Sequence, residues 1–226
     1  RSWALVEKKE IEQWYIKITD YAEELLTGLD ELDGCPERVK NMQRQWIGKN
    51  NGTIISFEIE TTDGKKINTI DVFTTRPDTL YGVTYVSIAP EHDQLPSLLE
   101  HAPNKSSCDD YIQKSLQKKD ADRADASKEK TGVNTELFAI HPLTGKKVPL
   151  FIADYVLTDY GTGAVMAVPA HDDRDHAFAK KHNLPIIEVI TSPEDHNIEN
   201  FAYTDNGTLI NSDTFSDKPN DIAKKE

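Results

Sequence analysis

At 226 residues and 37% hydrophobic content, the chain is long enough for one substantial core with a small appendage, and it carries no internal repeat. Lys and Arg number 26 against 39 Asp and Glu, a formal net charge of −13 that argues against a strong non-specific grip on nucleic acid; any RNA contact must be local, or assisted by other parts of a larger protein. The two cysteines, Cys35 and Cys108, form no Cys-x-x-Cys pair, which leaves a disulfide framework or thiolate zinc site without support and fits a reducing, cytoplasmic setting. No apolar run approaches the roughly 20 residues of a bilayer span, and the opening residues Arg1 to Glu12 lack the apolar stretch of a signal peptide, so a soluble protein without membrane contact is expected.

In chain order, Ile11, Trp14, Tyr15, Ile18, Ala22 and Leu25 recur at helical spacing and predict an amphipathic helix ending near Gly28. A second, short helix is predicted from Pro36 through Val39, Met42 and Trp46 to Gly48. Residues 1–52 therefore read as a helical flanking segment, and 53–226 as the main domain. From Thr53 the pattern changes to strands: Thr53 to Glu60, a turn at 62–65, and Lys66 to Thr74 form a hairpin. A strand at Val83 to Ala89 leads to a helix containing Leu95, Leu98 and Leu99. The charged stretch 104–130 is mostly helical, with its tail from Lys118 to Lys130 expected to be a mobile surface loop. Val133 to Ile140 and Val148 to Ala153 make another hairpin. Ile186 to Ile190 reads as a buried strand, 192–206 as a polar loop, and Asp217 to Glu226 as a frayed end. The whole is α/β: a mixed or barrel-like β-sheet domain with peripheral helices.

Two segments stand out. Pro77 breaks the chain after Thr74, Thr75 and Arg76, so hydroxyls, a guanidinium and the Asp78 carboxylate gather at a strand end with Thr79 just beyond. The second segment runs from the small residues Gly161 and Gly163 through the apolar strand Ala164 to Val168, which Pro169 terminates, into the charges Asp172, Asp173, Arg174 and Asp175. Ala177, Phe178 and Ala179 continue a helix from there to Asn183. Acids at a helix start also serve simply to offset the helix dipole. The expectation is that the two loops converge at one edge of the sheet as a single site, although residue order gives no distance between them.

These residues carry a resemblance. Thr74 to Thr79 followed by Leu80, Tyr81, Gly82, Val83, Thr84 and Tyr85, together with the run Tyr160-Gly-Thr-Gly-Ala-Val-Met-Ala-Val-Pro-Ala-His-Asp-Asp-Arg-Asp175, closely resemble the editing domain of bacterial-type leucyl-tRNA synthetases. Gln13 to Ala22 and Met42 to Gly48 look like the catalytic-domain segment before the editing insertion, and Gly207 to Ser212 like its return. Neither the His-x-Gly-His nor the Lys-Met-Ser-Lys-Ser signature of aminoacylation is present, so the chain is expected to be a fragment of a synthetase without aminoacylation activity. The valyl and isoleucyl editing domains share the fold and similar motifs, but Met166 to Pro169, Asp172 to Asp175 and Pro77 to Thr79 resemble the leucyl branch. Ala170 stands where bacterial relatives commonly carry glycine, and a small residue is kept.

The resemblance implies hydrolysis of the ester joining a non-cognate amino acid (norvaline, isoleucine or methionine) to the 3′ end of tRNA(Leu), in a monomeric protein whose remaining chain is a further partner. A pocket selects leucine over an analogue one methylene smaller by only about 1–3 kcal/mol, and synthetases are themselves the standing example of that limit, so a second, hydrolytic site must correct errors. The family's motif assigns Asp175 to the substrate's α-ammonium group and Thr74 and Thr75 to the developing oxyanion or attacking water. Arg76 would hold the tRNA end, while Tyr160, Met166 and Val168 would line the pocket. Asp172 would fix the loop by pairing with Arg76 or capping the helix. Thr79, stiff at χ1, would exclude leucine's branched side chain. No cofactor or metal is expected for editing; ATP and Mg belong to the aminoacylation domain. Two other classes stay open: a metal hydrolase built on His171, Asp172, Asp175 and His176, and a non-catalytic RNA-binding or protein-interaction module.

Overall fold

The computed structural model of the chain describes residues 11–49, 51–118, 123, 129–158, 161–191 and 196–226, and it divides into two compact units, 1–51 and 52–226. In the first unit a 3-10 turn at Ile18–Tyr21 leads into α1 (Ala22–Gly28), and α2 spans Glu37–Ile47. Gly48, at φ 61°, closes α2 in the left-handed region where a side chain is strained. The predicted first helix is shorter than its apolar spacing suggests: residues 11–17 have no regular structure. Trp14 and Ile16 are 101% and 85% exposed, and helical periodicity stabilises a helix only where the apolar face is buried. Arg44 bridges to Asp30 at 2.5 Å and Lys49 to Glu23 at 2.7 Å, holding the two helices by exposed ion pairs.

The second unit is built on a six-stranded mixed sheet in the order β2-β1-β4-β5-β3-β6. Its strands are β1 (Thr53–Glu60), β2 (Lys66–Thr74), β3 (Tyr85–Ile88), β4 (Gly132–Ile140), β5 (Lys147–Ala153) and β6 (Ala164–Ala167). Among the described strands only β3 and β5 pair in parallel. The terminal strands β2 and β6 lie beside one another, so the sheet curls toward a barrel, and a Cβ on Gly161 would come within 3.0 Å of the Phe73 side chain. β1 alternates as an edge hairpin should, burying Phe57 and Ile59 while Ser56 and Glu58 face outward, and Phe57 pairs across to Ile70.

β3, by contrast, is buried along its whole length because both faces are covered. Val86 and Ile88 enter the main core with Leu95, Leu98 and Leu99 of α3 (Leu95–Leu99). Tyr85 faces a second core that contains Phe151 and Phe178. The Phe178 ring stacks on Tyr85 at 5.1 Å and meets Phe151 edge-on at 5.3 Å. This aromatic cluster pins α5 (Asp173–His182) to the sheet and thereby places the acids of its first turn; α4 (Lys105–Leu116) packs on β4.

Near the end of the chain the structure differs from the sequence reading in two places. The expected strand Ile186 to Ile190 is reduced to β7 (Ile190–Thr191), paired with β8 (Thr208–Leu209). The physical reason is a competing acceptor: the backbone N–H groups of Val189 and Ile190 donate to His171 Nε2 at 3.0 and 3.1 Å. Residues 217–226 are not frayed. Leu209 donates to the Lys218 carbonyl, and the short helix α6 (Asn220–Ala223) carries the buried Asn220. No described helix is long and apolar enough to cross a membrane.

Candidate functional site

The end of β2 and the loop between β6 and α5 meet, as expected, because β2 and β6 are the two strands that the curling of the sheet brings together. Between them lies a cavity of about 450 Å³. Thr74, Thr75, Arg76 and Thr79 line it from one side, Met166, Val168, Asp172 and Asp175 from the other. Tyr160 lies outside the described residues.

On the threonine side, a 3-10 turn at Pro77–Gly82 follows β2, with Pro77 at its first position. Thr74 Oγ1 accepts the Arg76 backbone N–H at 3.0 Å, which fixes the hydroxyl and leaves its own proton available to a ligand. Thr79 Oγ1 donates to the Arg76 carbonyl at 2.9 Å, so this buried, β-branched side chain holds one rotamer and its methyl one place. The Arg76 guanidinium grips Asp78, with Nε 3.1 Å from both carboxylate oxygens and Nη2 2.9 Å from Oδ2.

On the acid side, Asp172 is the N-cap of α5: its Oδ1 accepts the backbone N–H of Arg174 at 2.9 Å and of Asp175 at 3.1 Å. Of the two roles expected for Asp172 it has the cap; its ion pair is with Arg174 at 3.1 Å, not with Arg76, whose partner is Asp78. Burial works to raise the Asp172 carboxyl, but the hydrogen bonds and charge of Arg174 outweigh it and hold the group below its ordinary value. Asp175 sits in the first turn of the helix and is only 7% exposed. Its Oδ2 accepts the Val168 backbone N–H at 2.8 Å, the first donor after the strand ends. Desolvation, with the nearby charge of Asp172, pushes the Asp175 carboxyl up to about 8. A cation entering the cavity would reverse that shift, since it supplies the opposite charge that the buried carboxylate lacks.

In the cluster considered for a metal, both His171 nitrogens and His176 Nε2 are bonded to backbone groups. His171 Nδ1 donates to the Tyr203 carbonyl at 2.8 Å while its Nε2 accepts from the Val189 and Ile190 backbone, and burial holds the ring below its ordinary pKa. His176 Nε2 donates to the Ile198 carbonyl at 2.8 Å. Among the described residues no group of three His, Cys, Asp or Glu is placed to hold a metal ion.

Other lining residues were not singled out in the sequence, Arg123, Lys130 and Tyr155 among them. Arg123 and Lys130, expected on a mobile surface loop, are buried and border the cavity, which corrects the surface reading for these two residues, whereas Lys118 and Glu129 are exposed. Arg123 donates from Nε to the Asp154 carbonyl and from Nη2 to the Val156 carbonyl, both at 2.7 Å, satisfying backbone groups just past β5. A lone arginine in a charged stretch has no periodic signature that would reveal this. Tyr155 and Arg174 also line the cavity.

The fold and cavity together define a class: a curled mixed-sheet domain whose cleft offers threonine hydroxyls on one wall and a buried carboxylate on the other. Residues 44–226 match the sequence family described as leucyl-tRNA synthetase, editing domain. The chain is 49% identical over 220 residues to the leucine–tRNA ligase of Pseudoalteromonas atlantica, covering 96% of this chain and 25% of that protein. With the leucine–tRNA ligase of Halorhodospira halophila identity is 48% over 225 residues, 99% of this chain and 27% of the relative. Among solved structures, the ternary complex of Agrobacterium radiobacter K84 agnB2 LeuRS, tRNA and LeuAMS superposes with a TM-score of 0.67 at 39% identity, over 87% of this chain and 23% of that one. The chain belongs to the leucyl-tRNA synthetase editing domain family, and it spans about a quarter of the length of the curated relatives it matches.

Proposed function

We propose that this chain is the editing module of a larger leucine–tRNA ligase and hydrolyses the ester that joins a non-cognate amino acid to tRNA(Leu). The observation that carries the reading is the placement of a buried carboxylate, Asp175, across one cavity from Thr74 and Thr75 in a member of this family. The substrate's α-ammonium group pairs with Asp175 and restores its ionised form. A water oxygen attacks the ester carbonyl carbon, and the Thr74 and Thr75 hydroxyls donate to the oxygen that gains charge. The tetrahedral intermediate then collapses with cleavage of the bond to the ribose oxygen. That oxygen takes up a proton as the water gives one up, releasing free amino acid and intact tRNA.

Arg76 holds the tRNA end, where a guanidinium suits phosphate, and Met166 and Val168 wall the amino-acid side of the pocket. No metal takes part in this scheme. Norvaline, isoleucine and methionine fit as substrates, with Thr79 excluding leucine. The reading carries with it a monomeric, cytoplasmic synthetase in which the other segments help capture the tRNA, in keeping with the −13 charge and two free cysteines. The relatives' names and the tRNA in the matched complex support that partner. The test is deacylation of norvalyl-tRNA(Leu) against leucyl-tRNA(Leu): rapid cleavage of the first with the second spared is expected, and binding of both without cleavage would leave a non-catalytic RNA module.

A further inference from the structure

We infer that Asn220, on the last helix of the chain, is a positioning residue for Arg76 and acts on it through Asp78. The inference rests on the proposed role of Arg76 at the tRNA end. The Asp78 side chain is wholly buried, with 0% exposure, whereas that of Arg76 remains 31% exposed. A buried carboxylate needs several donors, and Asp78 has them on two sides: the Arg76 fork on one, and Asn220 Nδ2 at 3.0 Å on the other.

Asn220 is itself held in a closed set of bonds. It is 2% exposed; its Oδ1 accepts the Gly207 N–H at 3.1 Å, and its backbone N–H donates to the Gly207 carbonyl at 3.0 Å. Its Nδ2 also reaches Asn206 Oδ1 at 3.2 Å. These partners fix the amide orientation, because the reversed amide would face the Asp78 carboxylate with an oxygen and lose the Gly207 donor. Arg76 Nη1 in turn donates to the Thr204 carbonyl at 3.4 Å, in the segment just before Asn206. Of the five guanidinium N–H groups, three are used in these contacts and two remain for a ligand. The plane of the fork, and so the direction of those two donors, follows the Asp78 carboxylate, and the carboxylate follows an amide 142 residues further along the chain.

The test uses the synthetase that contains this domain, with steady-state deacylation of norvalyl-tRNA(Leu) by wild type, Asn220→Ala, Arg76→Ala and the double variant. Loss of one donor to a buried carboxylate is expected to raise KM about five- to tenfold with kcat within about twofold. In the Arg76→Ala background the same substitution should add nothing, which a merely structural role would not reproduce. Unchanged KM in Asn220→Ala, or a full additional increase in the Arg76→Ala background, would overturn the inference. Should Asn220→Ala fail to fold, Asn220→Ser carries the same cycle. Hydrogen exchange of the Arg76 Nε–H, followed by NMR in the free protein, separates this from the editing reading: faster exchange in Asn220→Ala supports positioning even if no deacylation is found, and unchanged exchange refutes it.

Discussion

The Asp175 carboxylate accepts the backbone N–H of Val168 at 2.8 Å, so the first donor beyond β6 and the first turn of α5 are tied together across seven residues. That bond aims one carboxylate at a cavity wall, and Asp172 reinforces it by capping the same turn. Fixed acceptor geometry in a desolvated setting is what an ammonium group selects, because each charge-assisted bond is strengthened where water is excluded.

Asp175→Ala and Asp175→Asn should each lower deacylation of norvalyl-tRNA(Leu) by about 10- to 100-fold, the worth of a lost hydrogen bond to a charged group. The same carboxyl has a linkage signature. Its folded value, about 8, lies above the ordinary 3.8, so between these pH values the folded state binds the additional proton and this group's contribution to stability falls as pH rises. Asp175→Asn removes that slope, and its melting temperature relative to wild type should climb from pH 4 to pH 8. Near-normal deacylation by both variants at unchanged stability would place the ammonium anchor elsewhere.

Thr79→Ala should create activity that wild type lacks. Removing the methyl fixed by the bond to the Arg76 carbonyl opens room for leucine's branch, so leucyl-tRNA(Leu) should be cleaved at a rate within about tenfold of norvalyl-tRNA(Leu). Thr79→Tyr should block both substrates. If the alanine variant still spares leucyl-tRNA while melting lower, Thr79 is a packing residue and Met166 or Val168 becomes the next position to alter.

Asp172→Ala removes the N-cap of α5 and is expected to cost about 1 kcal/mol of stability, with Asp172→Ser recovering most of it. Because the cap also holds the Asp175 backbone, deacylation should drop partially in Asp172→Ala and return in the serine variant. Chemical denaturation alongside the kinetic assay checks both halves; full activity in the alanine variant would show that Asp175 is oriented without the cap.

Extended EDTA treatment should leave hydrolysis of norvalyl-tRNA(Leu) unchanged, provided Mg sufficient to fold the tRNA is restored in the assay. Both His171 ring nitrogens and His176 Nε2 are already bonded to backbone groups. Activity that is lost to the chelator and recovers only with zinc or manganese would revive the metal reading.

Residue order alone determined the mixed α/β class, the hairpins and both site segments, because alternation, a strand-ending proline and a capped helix start are local properties written within a few neighbours. The family resemblance, carried by contiguous motifs, pointed to Thr74, Thr79, Asp172 and Asp175, which border the cavity. Local reading failed where a distant partner competed. His171 takes the Val189 N–H that would have extended β7, and the apolar spacing of Ile11 to Tyr15 does not make a helix where those side chains stay exposed. Only the tertiary structure decided that the two site loops share one cavity, that Arg123 and Lys130 border it, and that Arg76 pairs with Asp78 and not Asp172. The upward shift of Asp175 and the bond from Asn220 to Asp78 belong to the same class. Burial and hydrogen bonding between residues far apart in sequence depend on how the sheet curls, and no periodicity of side chains records that.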